Sequence, residues 1–138
     1  MLFHYADKHV RINNTTRIKR FITEILQKEK IGHTRIDFIF CSDDYLLRIN
    51  RRFLHHDYYT DIISFSLRQR PLIGEIYISI DRVENNSKKY NVLFKEEVLR
   101  VIFHGVLHLC GYSDKTKKEI KLMRYMENNY LSLFNTFK

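Results

Sequence analysis

The chain has 138 residues, 44% apolar and 29% charged, with four glycines and one proline. That composition excludes wholesale disorder and a loop-rich scaffold, and it fits one domain over residues 1–138. Lysine plus arginine number 24 against 16 acidic residues, and the formal charge of +8 favours polyanionic partners, although the basic residues form no single tract.

The elements follow in chain order. Residues 2–5 (LFHY) read as a first short strand. Asn14-Thr15-Thr16 offers a helix N-cap, and Ile18, Phe21, Ile22, Ile25 and Leu26 then recur at helical spacing over about 16–29. Gly32 ends the turn after it. Ile36, Phe38 and Phe40 alternate with Asp37 and Ile39 as in a strand, and Asp43 opens a helix through Leu46, Leu47 and Ile49 to Phe53. LHHDYYT, residues 54–60, is a loop. Ile62 to Leu67 is a second good strand, Arg68 to Pro71 a turn, and GEIYISI from Gly74 a third strand. Asp81 is placed to cap a helix over about 82–90. Phe94 to Cys110 is a long helix with Phe94, Val98, Val101, Ile102 and Leu109 on one side, stopped by Gly111. A last helix fits 116–136, with Leu122, Met126 and Tyr130 four apart. Strands in mid-chain and helices gathered toward the end predict an α+β fold, a small mixed β-sheet covered by helices.

Two cysteines, Cys41 and Cys110, are too few for a disulfide framework, and reduced thiols in a reducing compartment are the simplest reading. The N-terminal MLFHYADKHVRI lacks the pattern of a secretory signal, and no apolar run approaches the ~20 residues that span a bilayer. A cytoplasmic chain with no membrane partner is expected.

The sharpest chemical signal is HGVLHLCGYSD. His104 and His108 lie four apart on one helical face, so both imidazoles can reach one cation. Gly111 can take the left-handed backbone conformation that closes a helix, which lets the chain fold back and bring Asp114 to the pair. Two nitrogens, one carboxylate oxygen and an open position form the usual layout of a catalytic zinc site, one Zn2+ per chain, with manganese, iron or nickel as alternatives. The metal motif thus sits on a helix of the C-terminal half and the loop after it. Cys110, six residues after His104 and on roughly the opposite side of the helix, reads as a small buried apolar residue. The ligand spacing matches the metzincin pattern HExxHxxGxxH, but Gly105 stands where those peptidases carry their general base, and Asp114 where they carry a third histidine.

HGVLHLCGYSD also resembles HGxLHLxGYDH, the signature of the YbeY family of metal-dependent endoribonucleases. In order, RINRRF resembles that family's LN-containing segment, TDIISF (60–65) its TDVLSF strand, and GEIYIS (74–79) its GDI-x-IS strand. The last helix, with Met123 and Glu127, fits in place. The resemblance implies a cytoplasmic, single-domain protein that cleaves single-stranded RNA, acting in 16S ribosomal RNA 3′-end maturation and ribosome quality control. It implies rRNA and ribosomal particles as partners, and zinc held by His104, His108 and Asp114. Asp114 replaces the family's third histidine, and the family's catalytic arginine position falls on Leu54; Arg51, Arg52, His55 and His56 stand nearby without aligning to it. The catalytic side chains are therefore left unassigned. Two further readings remain: a non-catalytic ribosome-assembly factor with a structural zinc, and a metzincin-like metallopeptidase. Thr60 and Asp61 read as a loop end and strand start in preference to a catalytic part. Tyr58 and Tyr59 either stack on bases or plug the core edge. His55-His56-Asp57 is a solvated or RNA-facing loop in preference to a second metal site.

Overall fold

Four strands form one sheet in the order β1-β2-β4-β3. They are β1 (Leu2–Tyr5), β2 (Thr34–Cys41), β3 (Ile62–Gln69) and β4 (Leu72–Ser79). A computed structural model describes residues 1–32 and 34–138. β1 and β4 run parallel to β2, and β3 runs antiparallel to β4. The helices are α1 (Thr15–Lys28), α2 (Asp43–Leu54), α3 (Ile80–Lys89), α4 (Phe94–Leu109) and α5 (Lys117–Thr136). The expected mixed sheet covered by helices is the fold observed.

The alternation in β2 and β4 decides how the helices attach. Ile36, Phe38, Phe40, Ile76 and Ile78 are fully buried and form one core with Ile22 and Ile25 of α1 and Ile102, Phe103 and Val106 of α4. A smaller cluster on α2 joins Leu46 to Cys41 and Ile63, with Phe65 and Tyr77 packed against it. α4 is buried at nine positions, more than one stripe's worth, because it lies between the sheet and α5. It can approach the sheet so closely because residue 105 is glycine: a Cβ there would stand 2.7 Å from Ile62 Cδ1 and 2.9 Å from Ile76 Cγ2.

Two local expectations need correction. Asn14 sits at the N-cap of α1 in a left-handed conformation, and its side chain makes no capping bond. The cap of α3 is Ser79, whose Oγ accepts from Arg82 N; Asp81 lies inside the first turn and accepts instead from Asp43 N and Lys8. The buried stripe of α5 is Met123, Glu127, Tyr130 and Phe134, whereas Leu122 is 48% exposed. The four-residue spacing 122/126/130 follows one side of that helix, where Met126 and Tyr130 meet the core, and the buried stripe beside it has a glutamate in its middle. No described helix is long and apolar enough to cross a membrane.

Candidate metal centre and its wall

α4 carries the two histidines to the edge of the core. It ends in a Schellman turn: Gly111, at φ 109°, donates its N–H to His108 O, and Tyr112 N–H reaches back to Leu107 O. That reversal brings Asp114 over the last turn of α4. One ligand atom from each of His104, His108 and Asp114 lies within 4.8 Å of the others. His108 Nε2 stands 2.9 Å from His104 Nε2, and Asp114 Oδ2 stands 3.2 Å from both.

The outer partners fix what those nitrogens can do. His104 Nδ1 lies 2.6 Å from Glu127 Oε2, and His108 Nδ1 lies 2.9 Å from Tyr112 O. A carbonyl can only accept and an ionised carboxylate can only accept, so both Nδ1 atoms carry the proton. In the neutral rings each Nε2 then presents a lone pair, and the two lone pairs and a carboxylate oxygen face one another. Acceptors at such distances repel unless a metal cation or a proton stands among them. The donor set of two imidazoles and one carboxylate is one that zinc takes. The residues therefore fit a divalent metal on their own geometry.

Glu127 is 4% exposed and is held by Arg100 Nη1 at 2.9 Å as well as by His104. Burial works to raise its carboxyl pKa, but the hydrogen bonds from His104 and Arg100 outweigh this and hold it below the usual range. Burial opposes charge on His104, and the hydrogen bond to Glu127 reverses that, so its pKa is raised. A carboxylate that orients a metal-binding imidazole is a recurring outer partner in such sites. Tyr112 is itself anchored, its hydroxyl donating to Glu29 Oε1 at 2.6 Å, which ties the loop after α4 to the end of α1.

A cavity of about 310 Å³ opens beside His104 and Asp114, walled by Asp61, Asn86, Glu97, Arg100 and Glu127 among others. Burial raises the carboxyl pKa of both Asp61 and Glu97. Asp61 Oδ2 accepts from Asn86 Nδ2 at 3.4 Å. Asp61 is the loop end before β3, as read, and it also stands in the wall of the cavity. Glu97 and Glu127 were not singled out as parts of the site. Glu97 had a local signal, seven residues before His104 on the same helical face. Glu127 had only its place inside an apolar stripe.

The other candidates are placed as follows. Burial, and then the charge of Glu29, push the Cys110 thiol up to about 12, so it is a protonated thiol packed against the core. Among the described residues no other cluster of metal-binding groups occurs, and His55-His56-Asp57 makes none: Asp57 pairs with Arg51, and His56 Nδ1 meets Tyr58 OH. Tyr58 and Tyr59 are 56% and 50% exposed and do not plug the core. Leu54 closes α2 on the surface, 38% exposed.

The chain is similar to known proteins over nearly its whole length. The sequence model of the family described as Endoribonuclease YbeY matches residues 3–135. A protein of Cytophaga hutchinsonii named Endoribonuclease YbeY is 44% identical over 135 residues, 96% of this chain and 94% of that one. Its namesake from Azobacteroides pseudotrichonymphae is 49% identical over 113 residues, 81% of each. A solution structure of a Thermotoga maritima protein superposes with a TM-score of 0.67 at 30% identity, covering 97% of this chain and 89% of that one.

Proposed function

The chain belongs to the endoribonuclease YbeY family, and from that premise we propose that residues 1–138 act as one metallo-endoribonuclease domain that cleaves single-stranded RNA. His104, His108 and Asp114 hold one zinc ion in this reading. The substrate is ribosomal RNA in ribosomal particles, the task 16S 3′-end maturation and ribosome quality control, and the setting the cytoplasm. The observation that carries the reading is the convergence of two Nε2 lone pairs and Asp114 Oδ2 beside an open cavity.

When bound, a divalent cation supplies Lewis acidity, which makes water a better nucleophile and polarises a phosphoryl oxygen. The chain does the rest. Glu127 and Tyr112 O keep the protons of His104 and His108 on Nδ1, so both Nε2 atoms stay available. Arg100, reaching into the cavity wall, offsets the charge of Glu127. Asp61 and Glu97 have no salt-bridge partner among the described residues, and burial lifts both above the usual carboxylate range. They are the wall groups able to hold or return a proton during cleavage. The net charge of +8 supplies the long-range attraction that an RNA backbone needs.

Leu54 at the family's arginine position favours a second reading, a non-catalytic assembly factor with a structural zinc. A structural site is normally closed by a fourth protein ligand. Among the described residues only three groups converge, which favours the catalytic reading. The peptidase reading loses its support at Gly105, where a side chain would run into Ile62 and Ile76 of the sheet. The test is cleavage of a labelled single-stranded RNA by wild type and His108→Ala, each with and without chelator. Cleavage confined to metal-loaded wild type is expected; equal cleavage by metal-stripped protein overturns the proposal.

A further inference from the structure

Arg51 to Tyr59, the last turn of α2 and the start of the loop to β3, form an arch of nine consecutive exposed residues. Phe53 is 56% exposed, and Leu54, Tyr58 and Tyr59 are exposed beside it. Phe53 and Leu54 are carried by the helix, and the Phe53 ring meets that of Phe65 edge-on at 6.2 Å; the loop beyond is braced by its main chain. Asn50, 1% exposed, donates its side-chain amide to Tyr58 O at 2.9 Å, and its carbonyl accepts from His56 N at 3.1 Å. His55, which ends the helix just before, is held at φ 57°. One buried asparagine thus ties both legs of the arch and leaves its side chains facing solvent.

Those side chains are ordered against one another. The His56 and Tyr58 rings stack at 5.2 Å between centroids and 21° between planes. The Arg52 guanidinium stands 5.4 Å from the Phe53 ring centre, and that of Arg82 stands 5.4 Å from the ring centre of Tyr59. Alongside runs a groove of about 480 Å³ lined by Tyr45, Arg48, Ile49, Arg51, Arg52 and Phe53. Between residues 48 and 59 three arginines face one acidic residue, Asp57, which pairs with Arg51; Asp44 on α2 accepts from Tyr59 OH. Flat ring faces interleaved with guanidinium groups are what a single strand's bases and phosphates need. The far foot of the arch is Thr60-Asp61, and Asp61 lines the cavity beside His104.

We propose that the Arg51–Tyr59 arch and the α2 groove bind single-stranded RNA by stacking on Phe53 and Tyr58, and lead the strand to the cavity beside His104. This rests on the RNA reading above and adds where the strand lies. The test uses metal-stripped wild type in chelator, so that nothing is cleaved, with fluorescence anisotropy of a labelled 12-nucleotide oligouridylate and a labelled RNA duplex. Phe53→Ala and Tyr58→Ala are each expected to weaken single-strand binding roughly ten-fold, and Tyr58→Trp to restore it. Arg52→Gln is expected to reduce the slope of log affinity against log salt by about 0.7. Circular dichroism checks that each variant is folded.

Unchanged affinity in folded Phe53→Ala and Tyr58→Ala overturns the proposal, as does tighter binding of the duplex than of the single strand. If wild type binds through the arch yet the metal-loaded protein cleaves nothing, the nuclease reading fails and this one stands. If it cleaves with KM unchanged in both alanine variants, the nuclease reading stands and this one fails.

Discussion

The α4–α5 wall and the α2–β3 arch handle charge in opposite ways. In the wall, Glu127 is buried and saturated by His104 and Arg100, and every hydrogen bond it makes fixes another side chain. In the arch, the charged and aromatic groups are exposed, and rigidity comes from main-chain groups pinned by Asn50. The contrast shows two ways of pre-organising a site. In the proposed reading, a wall that places metal ligands ties its side chains to one another, and a surface that takes a long polymer keeps its side chains free and lets the backbone hold the shape. Substitutions in the wall should therefore damage stability and metal binding together, while those in the arch should affect RNA alone.

The largest expected effect is at Glu127. Glu127→Ala leaves Arg100 without its buried partner and His104 without its orienting acceptor. A loss of about 3–5 kcal/mol in urea unfolding is expected, with metal affinity lowered roughly 10–100-fold by chelator competition. Retained stability and affinity would break the contrast from the wall side. Next comes Gly105→Ala, whose methyl must displace Ile62 and Ile76; a cost of about 1–3 kcal/mol is expected from thermal unfolding.

Asn50→Ala sharpens the arch side. Losing its hydrogen bond to Tyr58 O should cost about 1–2 kcal/mol and weaken single-strand binding while metal affinity stays put. A parallel fall in metal affinity would show that wall and arch are not separable. The smallest effect concerns the start of α2, which carries the arch. The hydrogen bond from Lys8, then that from Asp43 N, hold the Asp81 carboxyl below its ordinary value of 3.8. Its folded-state pKa being the lower one, its stabilisation is present above that value and fades as pH falls through the folded pKa. Asp81→Asn should thus cost about 1 kcal/mol near neutral pH, a difference that shrinks in acid melts.

Local pattern carried most of this far. The alternation of Ile36, Phe38 and Phe40 and the spacing of Ile18, Phe21, Ile22 and Ile25 report burial that depends on one element at a time, and both are seen in the fold. Gly111 could be read because a helix stop is a local backbone event. Glu127 could not, because its partners Arg100 and His104 are 27 and 23 residues away, and a charge in sequence looks like a surface position. Of the residues four apart on α5, Met126 and Tyr130 meet the core and only Leu122 faces out. Asp61 was read as a loop end because its neighbours in sequence are a loop and a strand; only the packing of α4 against β3 and of α3 against α4 makes it a wall.

The central claim, that one metal held by His104, His108 and Asp114 is needed for RNA cleavage, is tested most directly by titrating zinc into metal-stripped protein while following cleavage of a labelled single-stranded RNA. The rate should climb from zero and break at about one equivalent per chain in wild type, and stay at zero throughout for His108→Ala. Full cleavage before any metal is added, or the same titration curve from His108→Ala, would contradict it.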